Sequence, residues 1–328
     1  MMESLQQALH FDSLVWHWPI AIYLFVLGIS SGAMCLALFI KWKLPSAEKA
    51  AKNPLIKAAA ILVPSMVIFG LVILVFDLTK PLHFWKVIVY QFANPTSVMG
   101  RGVTLFIVYQ ITTFAWIALV FRKELETLLA RFMPWAMKIL GILWLWDLIA
   151  KVERQLEFVI AILAVLLGVY TGFLLSALNS YPLLNQPVLP LLFLASGLSS
   201  GIAATILLAT TFFSANAKTS GMTLSHRLEQ PIVWSELALL IILIIGMNFG
   251  GEMDKVSIDA AISGGFWAGV FWVGVMGIGI LLPLMMNQIT SIKVKHSNAF
   301  ILSSAVLTLV GVMSLRMFIL YAGQMTPA

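Results

Sequence analysis

Eight stretches of this chain are long and apolar enough to cross a bilayer: about 19–41, 55–78, 102–121, 156–179, 187–213, 231–250, 264–288 and 298–323. A hydrocarbon core of about 30 Å takes about 20 helical residues. Only helices and closed barrels satisfy their backbone polar groups there. Charge, or Pro, Asn and Gly, bounds each stretch. Composition agrees, since 61% of the 328 residues are hydrophobic and 10% charged, with a mean hydropathy of +0.99. A soluble fold of this size needs more polar surface than that. A cytosolic enzyme and a nucleic-acid-binding protein are therefore excluded, and the lipid bilayer is the first partner. The expected fold is an all-α integral membrane protein with eight transmembrane helices. Segment 131–150 is Trp-rich but carries Lys138 and Asp147, and reads as an interfacial helix rather than a ninth span. The opening MMESLQQALHFDSL has no basic n-region or small-residue cleavage site, so span one is expected to stay in the mature protein.

Lysine and arginine set the orientation. The loops after spans one, three, five and seven hold fifteen of them, including Lys41, Lys57, Arg122, Lys138, Lys218 and Lys293. The other side holds four: Lys80, Lys86, Arg101 and Lys255. Both termini should then face outward, into the periplasm. The net charge of +6 follows this sidedness and is no nucleic-acid footprint.

A short motif recurs. Span one carries Gly28-Ile29-Ser30-Ser31-Gly32 and span five Gly197-Leu198-Ser199-Ser200-Gly201, while spans four and eight carry Tyr170-Thr171-Gly172 and Tyr321-Ala322-Gly323. Corresponding spans run in the same direction, which predicts two parallel four-helix bundles, 1–180 and 181–328. The glycines also follow small-xxx-small spacing, for which close helix packing is explanation enough.

Few side chains can carry chemistry. One cysteine, Cys35, allows no disulfide framework, cysteine zinc site or thiolate-held cluster. The histidines His10, His17, His83, His226 and His296 all avoid mid-span positions, so neither bis-histidine haem nor another resident metal is expected. Ionisable groups within spans are costly and point to function. Asp77 ends span two, Arg316 lies in the outer third of span eight, Tyr170 in the outer half of span four, and His17 opens span one between Trp16 and Trp18. All four fall near one depth at the outer side, where a phenol and an imidazole can bond the oxygens of a neutral ring ligand and a carboxylate can pass protons to water. Plainer roles exist for each: Trp16 and Trp18 as interfacial anchors, His17 as a solvated imidazole, Asp77 as partner of Lys80, Arg316 as an interhelical partner of a carboxylate or carbonyls, and Tyr170 as a packed tyrosine bonded to a neighbour's backbone. Glu236, five residues into the expected span six, reads as a helix-N-terminus carboxylate or an inner proton relay.

Several stretches together resemble the NrfD/polysulfide reductase membrane-subunit family. They are Trp16-His17-Trp18-Pro19-Ile20-Ala21-Ile22-Tyr23-Leu24-Phe25 with the following GISSG, Asp77-Leu78-Thr79-Lys80-Pro81 with Phe84 and Trp85, and Tyr170-Thr171-Gly172. Leu191 to Gly201 and Leu315 to Gln324 add to them. The resemblance implies an exchangeable menaquinone or ubiquinone near the periplasmic face of the first bundle, with no haem or iron–sulfur cluster in this chain. It implies electron exchange with a periplasmic four-cluster iron–sulfur subunit. Beyond that subunit stands a multihaem cytochrome c, or a molybdopterin catalytic subunit. Carried onto this sequence, Tyr170, His17 and Asp77 would handle protons, and Tyr23, Gly28, Gly32, Gly172 and Arg316 would surround the quinone. The chain departs from the family in having Thr79-Lys80 where Gly-Arg is usual, and in offering Tyr23 and Ile20 on the inner side of span one. The implied location is the bacterial inner membrane. The implied role is a quinol-reactive subunit of a respiratory oxidoreductase, of the nitrite reductase type first and the polysulfide, thiosulfate or tetrathionate type second. A non-catalytic anchor would leave Tyr170 and Asp77 unexplained. A secondary transporter would place its ionisable groups at the midplane.

Overall fold

The computed structural model describes residues 8–44, 47–78, 80–90, 97–132, 140–216, 219, 221–289 and 297–327. Lys138, Lys218, Lys293, Lys295, His296, Thr79 and Phe92 lie outside the described residues. Among the described residues every regular element is helical. Among the described residues eight helices are long and apolar enough to cross a membrane. They are span one (Trp18–Lys43), two (Pro54–Asp77), three (Val98–Val120), four (Glu153–Leu175), five (Leu189–Phe212), six (Met222–Asn248), seven (Gly265–Met286) and eight (Asn298–Gly323). Span boundaries follow local chemistry. Pro19 and Pro54 sit in first turns, where a missing N–H costs nothing. Asn53, Ser97 and Ser297 cap spans two, three and eight through their side-chain oxygens.

Among the described residues, segment 131–150 contributes no ninth span. Helices Arg122–Phe132 and Leu140–Lys151 have 11 and 12 residues, too short to cross. An Arg122–Asp147 ion pair of 2.9 Å joins them.

Span six departs from the expected boundary. Pro231 reads as a start signal, yet the helix begins at Met222 and runs through it. Ser235 Oγ donates to the Pro231 carbonyl at 2.8 Å one turn further on. Glu236 thus lies about 21 Å along the helix, at 1.5 Å per residue, rather than in its first turns. The helix-N-terminus role for Glu236 is thereby ruled out.

Spans one and five form the centre and are mostly buried, whereas two, three, six and seven present most of their surface outward. Span one packs on spans two, four, five and eight, and span five on spans one, two, four, six and eight. Lipid supplies no hydrophobic drive between helices, so close backbone approach has to hold them. The repeated motif provides it, because the two copies pack on each other. A Cβ at Gly32 would lie 2.2 Å from the Gly197 carbonyl oxygen, and one at Gly201 would lie 2.3 Å from the Ala33 nitrogen. The span-one serines tie in the neighbours. Ser30 Oγ donates to the Val63 carbonyl at 2.9 Å, and Ser31 Oγ to the Ala164 carbonyl at 2.6 Å.

Span seven contains a π-helical stretch, Val270–Leu281, rich in glycine. Gly279 there meets Gly311 of span eight, each leaving no room for a Cβ on the other.

Contacts gather the ends of the spans onto two faces. On one, Gln324 after span eight accepts from the backbone N–H groups of Val15 and Trp16 at 2.8 Å, and Tyr181 donates to the Ser13 carbonyl at 2.6 Å. Trp267 Nε1 at the start of span seven donates to the Ala8 carbonyl at 2.9 Å. The opposite face carries a charge cluster in which the buried Lys41 bonds both the buried Glu157 and the partly exposed Glu153. Trp42 Nε1 donates to Glu157 there at 2.8 Å.

Candidate functional site

Two phenols meet near the first of these faces. Tyr23 lies on the inner side of span one, about a turn and a half past its start, and is buried. Tyr170 lies the same distance before the end of span four, and its side chain is also buried. Both tyrosines line the same cavity. Between the rings stands Phe106 of span three, edge-on to both, with centroids 6.1 Å from Tyr23 and 5.5 Å from Tyr170. Tyr170 donates a long hydrogen bond of 3.4 Å to the Val98 carbonyl. Gly102 permits that position, since a Cβ there would lie 2.0 Å from the Tyr170 hydroxyl oxygen.

Trp16, Tyr23, Phe106 and Tyr170 enclose a cavity of about 20 Å³, closed by Ile20 and Leu74. Trp16, expected as an interfacial anchor, is thus a wall residue, while Trp18 remains exposed. Next to it, a groove of about 500 Å³ runs between spans two and three. The groove shares Leu74, Val103 and Phe106 with the cavity and is lined by apolar side chains. Asp77 sits at the end of span two, one residue past the groove residue Phe76, and is exposed, as is His17. Among the described residues Asp77 makes no ion pair with Lys80. The arrangement offers two buried hydroxyls that can each donate, accept or exchange a proton, in otherwise apolar surroundings, with ionisable groups outside.

The other expected contacts lie elsewhere. Gly28 and Gly32 face the backbone of span five, and Gly172 faces Pro190 at the start of that span, with a Cβ only 2.5 Å from the Pro190 Cα. All three serve helix contact and do not line the cavity. Arg316, expected beside Tyr170, turns toward span five instead. It is fully buried, donates from Nη2 to the Phe193 carbonyl at 3.0 Å, and stacks 3.7 Å from the Phe193 ring centroid. Across from it, Glu236 of span six is buried beside Ser199 and interacts electrostatically with Arg316. Arg316 Nε and Nη1 and Glu236 Oε1 find no hydrogen-bond partner among the described residues. This second polar cluster belongs to the second half of the chain. Among the described residues no three His, Cys, Asp or Glu side chains come close enough together to hold a metal ion.

Residues 6–328 match the family described as "Polysulphide reductase, NrfD". The chain belongs to the NrfD family. It is 45% identical to "Protein NrfD homolog" of Haemophilus influenzae, the match covering 97% of both proteins. Identity to "Protein NrfD" of Escherichia coli is 43%, over 98% of each. To a polysulfide reductase subunit of Wolinella succinogenes it is 41%, over 99% of this chain and 98% of that one. Full-length NrfD-family similarity and eight apolar helices make this a multi-pass membrane protein of the bacterial inner membrane and a membrane subunit of a redox complex.

Sequence reasoning missed Phe106, which lines the cavity, and Gly102, which leaves room for the Tyr170 hydroxyl. Both lie on one face of span three at i and i+4 spacing, just past Gly100-Arg101. A small residue followed a turn later by an aromatic was the available signal.

Proposed function

We propose that this chain is the quinol-reactive subunit of a respiratory reductase, oxidising menaquinol or ubiquinol at the Tyr23–Tyr170 cavity. The observation that carries the reading is the pair of buried phenols facing one apolar cavity beside a lipid-side groove. These residues suit the chemistry of a quinol, offering hydroxyls to its oxygens and apolar walls to its ring. Each hydroxyl can accept a hydrogen bond from a quinol hydroxyl and donate its own proton onward, so the ring can lose two protons and two electrons without a charge being stranded in the apolar site. His17 and Asp77, both exposed, would carry those protons to water. Electrons leave to a periplasmic four-cluster iron–sulfur subunit seated over the same face. From there they reach a multihaem cytochrome c in a nitrite reductase system. A polysulfide-type complex with a molybdopterin subunit is the second reading, favoured by the likeness to the Wolinella succinogenes polysulfide reductase subunit.

The two halves, 1–180 and 181–328, act in this proposal as parallel four-helix bundles with both termini in the periplasm. Equivalent contacts support the repeat: span one on four as five on eight, one on two as five on six, and three on four as seven on eight. The halves differ at the corresponding tyrosines. Tyr321 is covered by Trp267, stacked at 4.7 Å, whereas Tyr170 faces a cavity. That difference favours the first half as the place of reaction.

Tyr170→Phe keeps the ring and removes the hydroxyl. Quinol-dependent reduction of the partner subunit, per mole of assembled complex, should fall about 100-fold, as for loss of a positioned proton-transfer group. Wild-type rates in this variant would remove Tyr170 from the site. Asp77→Asn tests the exit step, and should slow turnover while leaving quinone binding and assembly intact. Unchanged turnover per assembled complex across pH would retire Asp77 as a relay.

A further inference from the structure

The phenol cavity measures about 20 Å³, room for about one water and far too little for a quinone ring. A ring can enter only if part of the wall moves. Trp16, Ile20 and Tyr23 at span one and Tyr170 and Leu174 of span four, two helices that pack on each other, line one part of it. The remaining side, made by Leu74, Val103 and Phe106, is also the inner wall of the 500 Å³ groove. That groove has the size of a ligand site but offers no hydrogen-bonding side chain, so it suits a part of a ligand that needs no recognition. It opens on the lipid side, where Val72, Phe76 and Ile107 are exposed. Spans two and three pack sparsely on each other, so the seam between them can widen without breaking the core.

Resting on the function proposed above, we propose that this groove is the lateral entry for quinol and holds its prenyl tail, with Phe106 as the movable partition between tail and ring. Continuity with the phenol cavity identifies the occupant. A phospholipid acyl chain would match the groove but would gain nothing from its connection to two phenols. Phe106 suits the partition because its ring meets both tyrosines by edge contacts alone and has no polar atom to release on turning. Lipid chains are as apolar as the groove, so the groove guides the tail more than it binds it.

The test compares a long-tailed menaquinol with a tail-less dimethylnaphthoquinol on the assembled complex. Ile107→Trp and Val72→Trp each fill the groove from its lipid side, away from the phenols, at positions where a larger ring meets lipid rather than core. In both variants kcat/KM for the tailed quinol, divided by that for the tail-less one, should fall about tenfold, an ordinary effect of overfilling a site. A long-chain quinone with a photoreactive group near the tail end should label the peptides containing Val72 or Ile107 in the wild-type complex. An unchanged ratio with labelling elsewhere would overturn the tail assignment and leave the phenol site standing. Equal losses for both quinols would also overturn it, pointing to a structural lipid or a partner helix in the groove. Failure of the wild-type complex to oxidise either quinol would instead overturn the function on which this inference rests.

Discussion

Gly32→Val should leave little folded protein in the membrane. A Cβ at Gly32 would stand 2.2 Å from the Gly197 carbonyl oxygen and 2.8 Å from the Leu198 Cα, both backbone atoms that cannot rotate away. Spans one and five would have to separate, and they are the two helices on which spans two, four, six and eight pack. In lipid that loss is not offset by hydrophobic burial, because close packing is what holds helices together there. The destabilisation should reach about 3 kcal/mol or more. Thermal unfolding in detergent and yield of membrane-inserted protein measure it. Gly246→Val is the matched control, since nothing lies within 4 Å of a Cβ at that position of span six. Equal stability of the two variants would show that the spans do not cross at the repeated motif.

The second large effect concerns Arg316. Arg316→Leu removes a fully buried guanidinium that interacts electrostatically with Glu236. Leaving buried polar groups without the partner they faced costs about 1–3 kcal/mol. The Phe193 carbonyl loses its donor as well. Removing Glu236 as well, in Arg316→Leu/Glu236→Leu, should recover the electrostatic part of that loss. Thermal midpoints of the two single variants and the double variant give the coupling. A double variant no more stable than Arg316→Leu would mean that the two charges do not depend on each other. Tyr170→Phe activity per assembled complex is unaffected by either result, because Arg316 and Tyr170 occupy different clusters.

Much of the protein was legible before its tertiary structure. Span count came from length and apolarity, which are local properties. Spans one, two, five, seven and eight start within about two residues of their expected positions, inside the usual uncertainty of a helix end. At span six the misreading has a definite cause: Pro231 resembles a first-turn proline, and only the packing of residues 222–230 as helix shows that it sits inside one. Glycines at 28, 32, 197 and 201 announced a close helix contact, and Tyr170 announced a buried hydroxyl. Spacing could not tell which helix each glycine would touch.

Helix rotation is what the sequence left undetermined. A soluble helix reveals its inner face through a polar outer one. In spans one, two, five and eight both faces are apolar, so periodicity carries almost no information about which residues look inward. Arg316 therefore could be given a depth but not a direction, and depth alone placed it beside Tyr170. Packing turned it toward Phe193 and Glu236, residues 123 and 80 positions away. The same holds for Phe106 and Gly102, whose meeting with Tyr170 depends on how span three rotates against span four. By itself the sequence determined eight crossings, their alternating charge and the small residues that let two of them touch. The tertiary structure decided which side chains share a cavity, because in lipid that choice rests on shape complementarity between helices far apart in the chain.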